Sequence, residues 1–395
     1  MTRALYHDPG PLLNFTARVT ATDGSRVALD ATAFYPEGGG QPTDVGTLSW
    51  DGAQVRVLGA RKDKGSGQIW HELEGAVPAV GAQVSGEVDA ATRWRHSQRH
   101  SGEHLLAQAF TRVSPVFGVE AVSMNGPECT IDLRGDPAES HVRAAETLLR
   151  EVLGRSDLRL ETPVVPESDL PDYPLRRPSK VGGQVRLVIF RAPDGAVFDA
   201  SACGGTHVPQ ASLAAPVVVL RTERIKGGLT RVVFMAGEEA AGYLSGVYRQ
   251  ARALAQTFSV PVERLPERVD ALRAERDTLI TEQEGARQSL AQTLVRTTPP
   301  ELVGPLRLQV IELADPALLQ AVLAAVPGGG VIVALAPDGR CGVGSALAEV
   351  DAGAVLREAL GRSGGKGGGR PDLAQGRTDR PDVFLAELRT ALARS

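Results

Sequence analysis

Residues 1–90 carry short runs in which apolar and polar positions alternate, the period-2 signal of strands with one buried face. Runs at 15–20 and 26–29 flank Asp23-Gly24, and runs at 48–50 and 53–58 flank Asp51-Gly52. Asp-Gly favours a two-residue hairpin turn, because that turn needs positive φ and glycine adopts it without a Cβ penalty. With a further run at 84–88, short strands at such close intervals predict a small N-terminal β-barrel. From 91 to 237 the pattern is mixed, with helices expected over 100–110 and 140–153. Strands are expected over 130–133, 185–189, 197–198, 217–220 and 230–234. Without strict βαβ alternation this predicts an α+β layer.

The period then lengthens. Leu265, Leu272, Leu279 and Ala286 recur every seven positions, with Val269 and Leu290 offset by four, the spacing of an apolar helical stripe. A preceding helix over 240–257 runs into Ser259-Val260-Pro261, where proline stops it for want of an N–H. Residues 238–297 read as a helical hairpin, or as an amphipathic helix on a globular core; either is a spacer. Thr298-Pro299-Pro300 marks a boundary. Beyond it, apolar runs at 306–311 and 331–336 predict strands, and Asp315-Pro316 predicts a capped helix start. A glycine-rich loop over 364–369 precedes a last helix over 382–393. The expected fold class is α+β with four segments: barrel (1–90), α+β domain (91–237), helical spacer (238–297) and a small α/β domain (298–395).

Composition narrows the classes. At 395 residues the chain exceeds one ordinary core. A formal charge of −4 argues against a uniformly basic nucleic-acid binder and leaves room for a local basic patch. Three widely spaced cysteines make no disulfide framework, and Cys129 and Cys341 are expected as buried fillers. No charged-then-apolar leader follows Met1 and no apolar run is long enough to span a bilayer, so the expectation is a cytoplasmic protein with no membrane partner.

Four residues carry candidate chemistry. His100 and His104 are four apart in a segment that reads as helix, which puts both imidazoles on one face. Cys203 and His207 enclose Gly204-Gly205, which permits a tight bend between them. Three imidazoles and a thiolate are a competent tetrahedral zinc set. His96, four before His100, shares that face as a candidate general base or a group supporting the ligands, unless it is a packing histidine. Glu103 is expected to point away from it.

The motifs around these residues resemble a known family. His100-Ser101-Gly102-Glu103-His104-Leu105-Leu106 and Cys203-Gly204-Gly205-Thr206-His207 look like the paired motifs of the alanyl-tRNA editing domain. Phe34-Tyr35-Pro36-Glu37-Gly38-Gly39-Gly40-Gln41-Pro42 resembles its glycine-rich motif, and Gly364-Gly365-Lys366-Gly367-Gly368-Gly369-Arg370 resembles the C-terminal domain of alanyl-tRNA synthetases. Their order is similar to that in the long form of the free-standing alanyl-tRNA editing proteins. The resemblance implies a trans-editing hydrolase without aminoacylation activity. It would deacylate mischarged Ser-tRNA(Ala), with Gly-tRNA(Ala) as a further candidate substrate, using one Zn2+ per chain. The metal would be catalytic, substrate-positioning or structural. A non-catalytic tRNA-binding protein with a structural zinc, and an editor of Ser-tRNA(Thr), are the alternatives.

By the same resemblance Gln41 and Thr130 would serve in catalysis, and Gly38, Gly39, Gly40 and Asp132 in substrate binding. The glycines have a second reading as a barrel corner. Phosphate contacts would come from arginine and lysine. The candidates are Arg93, Arg95 and Arg99 near the site, Arg176, Arg177 and Lys180 in a following loop, Arg224, Lys226 and Arg231, and Lys366 and Arg370 in the terminal glycine loop. The terminal domain is also expected to mediate a homodimer.

Overall fold

Both Asp-Gly pairs close hairpins in the computed structural model, which describes residues 1–7, 12–155, 157–179 and 182–394. After β1 (Arg3–Ala4), β2 (Asn14–Asp23) turns at Gly24 into β3 (Arg26–Leu29), and β1 pairs in parallel with β4 (Ala31–Thr32). β5 (Gly46–Trp50) turns through Asp51 and Gly52, with φ of 45° and 80°, into β6 (Ala53–Lys62). β7 (Ile69–Glu74) and β8 (Gln83–Val88) complete a closed barrel in the order β2-β3-β7-β6-β5-β8. Val19, Val27, Leu29, Phe34, Leu48, Ile69 and Val84 fill it. Position 86 faces inward by the strand alternation, and a Cβ there would stand 2.3 Å from the Phe15 ring, so glycine fits.

Inside this barrel sits His71, fully buried, with Nδ1 donating to the Val27 carbonyl (3.2 Å) and Nε2 accepting from Thr32 Oγ1 (2.8 Å). Burial pushes its pKa down to about 4, so the ring is neutral in the fold. The unfolded chain binds the proton near pH 6.5, so stability is full above that pH and is lost as pH falls towards 4. The loss at the bottom of this window is on the order of 3 kcal/mol. We expect the stability gap between wild type and His71→Leu, measured by urea denaturation, to shrink by about that amount between pH 7 and 4; a constant gap would contradict this.

The α+β part follows. α1 (Ala90–Val113) starts at Asp89, whose carboxylate accepts from the Thr92 N–H at 2.7 Å, an N-cap. Behind it come β9 (Val119–Ser123), β10 (Cys129–Arg134), α2 (Glu139–Arg155), β11 (Arg159–Glu161) and β12 (Val164–Pro166). β13 (Gln184–Arg191), β14 (Val197–Ala202), β15 (Val217–Ile225), β16 (Leu229–Ala236) and α3 (Gly237–Thr257) complete the set. One sheet has the order β15-β16-β10-β9; in the other, β13 pairs with β11, β12 and β14. Leu105, Leu106, Phe110, Ile131, Val188, Phe190, Val232 and Phe234 form the core between helix and sheets.

The chain divides within α3 into two compact units, Met1–Ala253 and Leu254–Ser395. The second begins with the end of α3, a turn at Ser259 and the 33-residue α4 (Leu265–Thr297). Its sheet contains β17 (Glu301–Val303), β18 (Leu306–Glu312), β19 (Gly330–Leu335), β20 (Arg340–Ser345), β21 (Lys366–Gly369) and β22 (Leu373–Arg377), in the order β17-β18-β19-β20-β22-β21. Asp315 caps a short turn ahead of α5 (Leu319–Ala324), as expected, and α6 (Ala352–Ser363) and α7 (Pro381–Leu392) cover the sheet. The glycine run is not a loop. Lys366–Gly369 is an edge strand, and a Cβ on Gly367 would lie 2.6 Å from both Gly376 Cα and Leu360 Cδ1. Glycine there lets the strand pass close to its neighbour and to α6.

Candidate metal centre

α1 is buried almost all round from Arg93 to Phe110, although Arg93, His96, Ser97, Gln98, Arg99, His100, Ser101, Glu103 and His104 are polar. Burying such groups is costly unless each finds a partner, so a polar helix at the centre of a domain marks a built site. The loop after β14 delivers Cys203 and His207 to it. The ligand atoms of His100, His104, Cys203 and His207 all lie within 4.8 Å of one another. Cys203 Sγ is 3.4 Å from both His100 Nε2 and His207 Nε2. A tetrahedral zinc with Zn–S near 2.3 Å and Zn–N near 2.0 Å has S···N edges of about 3.5 Å, so the donor set fits that ion.

The far sides of the rings support the same reading. Nδ1 of His100 meets Gln41 Oε1 at 2.7 Å, Nδ1 of His104 meets Asp199 Oδ2 at 3.0 Å, and Nδ1 of His207 meets Ser101 Oγ at 3.2 Å. With each Nδ1–H donating outward, each Nε2 lone pair is left for a metal. Burial opposes the Cys203 thiolate, but the three imidazoles around it, His100 foremost, hold its pKa well below the usual thiol range. Burial opposes charge on His104 too, yet Asp199 raises its pKa, so a metal at Nε2 competes with a proton.

Gln41 reaches the cluster from the barrel. Gly39 and Gly40, at φ of 61° and 82°, form a two-residue turn closed by reciprocal hydrogen bonds between Gly38 and Gln41 (3.0 and 3.1 Å). Gln41 is 1% exposed. Its Oε1 also accepts from the Thr206 N–H at 3.0 Å, and its Nε2 donates to Thr206 Oγ1 at 2.9 Å. Its amide is therefore consumed in positioning His100 and the Cys203–His207 loop. Arg186 holds that loop through the carbonyls of Cys203 and Gly205 (2.9 and 3.1 Å), and His7 through the Gly204 carbonyl (2.8 Å).

Beside the cluster opens a cleft of about 330 Å³, lined among others by Tyr6, His7, Tyr35, Gly38, Gly39, Lys62, Arg176, Arg177 and Ser201, and floored by His100, Glu103, His104 and Cys203. Glu103 thus faces the cleft and not away from it: Oε2 is 3.7 Å from His104 Nε2. A helix buried on every side has no outer face to receive it.

Several other expected site residues are neither among the four ligands nor in the lining of this cleft. Thr130 and Asp132 occupy the face of β10 opposite Cys129, Ile131 and Leu133, whose side chains enter the core, and Asp132 pairs with Arg231 at 2.8 Å. His96 is 3.7 Å from Asp44 Oδ1 and does not join the ligands. Gly40 makes a close approach, its carbonyl accepting from the Met124 N–H at 2.9 Å, and a Cβ there would stand 2.8 Å from Val122. Arg93 and Arg99 are committed to internal pairs with Asp44 (3.0 Å) and Glu239 (2.6 Å). Lys226 is exposed in the turn between β15 and β16; Lys366 and Arg370 are exposed in the second unit; Lys180 lies outside the described residues. Among the described residues no helix is long and apolar enough to cross a membrane.

Sequence reasoning missed Asp199 and Arg186. The signal was there as a charged residue inside an apolar strand, Asp199 in β14 and Arg186 in β13. Arg176, expected as a phosphate contact, donates to the His104 carbonyl at 3.0 Å from within the site.

Comparison with known proteins matches three stretches to family models. Residues 12–92 match tRNA synthetases class II (A), 185–233 the threonyl and alanyl tRNA synthetase second additional domain, and 318–394 the DHHA1 domain. The chain is 30% identical to the alanine–tRNA ligase of Korarchaeum cryptofilum over 99% of its own length and 45% of that protein. It is 32% identical to that of Thermococcus kodakarensis over 96% of its length and 42% of that protein. Among solved structures, the C-Ala domain from Aquifex aeolicus alanyl-tRNA synthetase is 29% identical, covering 24% of this chain and 97% of that one, with a TM-score of 0.22. The chain spans under half the length of the curated relatives it matches. The homology supports a role in tRNA editing, and the ligand cluster supports hydrolase-type chemistry. By these matches the chain is a homologue of the editing and C-terminal region of alanyl-tRNA synthetase, and not of the whole synthetase.

Proposed function

We propose that the chain is a trans-editing deacylase that hydrolyses the ester of Ser-tRNA(Ala), and of Gly-tRNA(Ala). The observation that carries this reading is the three-histidine, one-cysteine cluster opening into a cleft, on a chain homologous to an editing region. The physical need is specific. A pocket for alanine discriminates by only about 1–3 kcal/mol against a group one methylene different, and an added hydroxyl is likewise hard to reject, so a second hydrolytic site corrects the errors.

His100, His104, Cys203 and His207 would hold Zn2+, which, given a coordination position open to the ester, would supply Lewis-acid polarisation there. Gln41 and Asp199 fix the rings of His100 and His104. The bare backbone of Gly38 and Gly39 lets the terminal ribose come close to the cleft wall. Tyr6, Tyr35 and the barrel loop form part of the cleft wall. Functionally we divide the chain into barrel (1–90), hydrolase domain (91–237), helical spacer (238–297) and a C-terminal domain (298–395). In the last, exposed Lys366 and Arg370 suit tRNA phosphates, and a homodimer would form through this domain.

The test is deacylation of Ser-tRNA(Ala), Gly-tRNA(Ala) and Ala-tRNA(Ala), with Ser-tRNA(Thr) as control. Loss of serine and glycine from tRNA(Ala), with alanine spared, is the expected result. Binding of tRNA(Ala) without hydrolysis would leave a tRNA-binding protein with a structural metal; turnover of Ser-tRNA(Thr) alone would reassign the substrate.

A further inference from the structure

Glu103 is the unexplained group at this site. It is 3% exposed, lines the cleft, and among the described residues no hydrogen-bond donor reaches its carboxylate. Its charged neighbours stop short: His104 Nε2 is 3.7 Å from Oε2, and Arg176 Nη2 is 3.8 Å from Oε1. Arg176 is held off by other bonds, donating to the His104 carbonyl at 3.0 Å and standing 3.5 Å from Asp199 Oδ1. The Glu103 oxygens are not sealed inside the protein but open to the cleft, near two cations yet free to accept a hydrogen bond from a third.

The cleft otherwise favours anions. Lys62, Arg176 and Arg177 line it, and a divalent metal on the four ligands would add positive charge. Its other lining carboxylate, Glu37, is taken by Arg61 at 3.3 Å on the exposed side. An aminoacyl ester brings an α-ammonium about 2.5 Å from its carbonyl carbon. With the carbonyl at the ligand cluster, that cation would be repelled unless a carboxylate stood beside the metal. Glu103, next to His104 on α1, stands there.

We infer that Glu103 is a specificity-determining residue that accepts the α-ammonium of the acyl group and so restricts the site to α-amino acyl esters. The inference rests on the deacylase reading. It makes Glu103 an electrostatic anchor, with no proton or bond exchanged.

The test compares Ser-tRNA(Ala) with its α-hydroxy counterpart, in which a hydroxyl replaces the ammonium, on zinc-loaded wild type and Glu103→Gln. Each kcat/KM ratio is corrected for the ratio of the two spontaneous hydrolysis rates. Wild type is expected to prefer the ammonium substrate by about 10- to 100-fold beyond that correction, the strength of a hydrogen bond to a charged group. Glu103→Gln is expected to erase most of the preference while retaining its zinc. Equal losses on both substrates would assign Glu103 to the hydrolytic step and overturn the inference. Loss of zinc from Glu103→Gln would make it a ligand and overturn the inference as well. The wild-type comparison stands without any variant: no corrected preference overturns the inference and leaves the deacylase reading intact. Inertness towards both esters would defeat the deacylase reading itself, and the inference with it.

Discussion

Cys203→Ala is expected to release the metal and abolish deacylation together. The thiolate is the single anionic ligand of the four, and its Sγ sits 3.4 Å from two imidazole nitrogens. Structural zinc sites bind with about 10–16 kcal/mol shared over four ligands, so one ligand contributes on the order of 3 kcal/mol, or about 100-fold in affinity. Losing the thiolate also removes the anion that hydrogen-bonds His104, leaving only the more distant Glu103 carboxylate near its Nε2. Metal analysis after dialysis should find Cys203→Ala depleted, with single-turnover deacylation down at least about 100-fold. A variant with full metal and full turnover would show that Cys203 is not a ligand. Full metal with no turnover would show that the thiolate acts in the reaction instead.

Gly205→Ala should do comparable damage without touching a ligand. A Cβ at 205 would fall 2.1 Å from His100 Cε1, 2.2 Å from its Nδ1 and 2.9 Å from Gln41 Oε1. The added methyl would occupy the place of the imidazole edge, on the side where Gln41 holds it. Relief requires His100 to rotate off its hydrogen bond, or the loop carrying Cys203 and His207 to retreat. Either breaks the ligand set. Overpacking costs about 1–3 kcal/mol, and disturbing a group that orients a ligand costs about 10- to 100-fold in metal affinity. We expect near-native circular dichroism with zinc affinity reduced by at least that factor; unchanged affinity would mean the loop approaches His100 less closely than these distances require.

The ligands were legible in the sequence because their spacing is local: four residues on a helix, and four across a glycine bend. The barrel hairpins were legible because Asp-Gly announces its own turn. β7 was not, because His71 fills an inward position that the alternation reserves for an apolar residue. Partners from other elements were equally hidden. Asp199 and Gln41 act on His104 and His100 from 95 and 59 residues away. Thr130 could have been placed by parity alone: Cys129 and Ile131 face the core, so Thr130 cannot share their side. Glu103 failed for the opposite reason, since face arguments assume one wet side and α1 has none. The glycines of β21 look like a flexible loop until Leu360 and Gly376 show what would occupy a side chain's space.

Whether the ligand cluster performs the hydrolysis is decided by single-turnover deacylation of Ser-tRNA(Ala) across a zinc titration of chelated protein. Circular dichroism at each step confirms that the fold persists. A working metal centre predicts no turnover at zero zinc, and activity rising in step with bound metal to a plateau at one ion per chain. Full activity in folded, metal-free protein would contradict it.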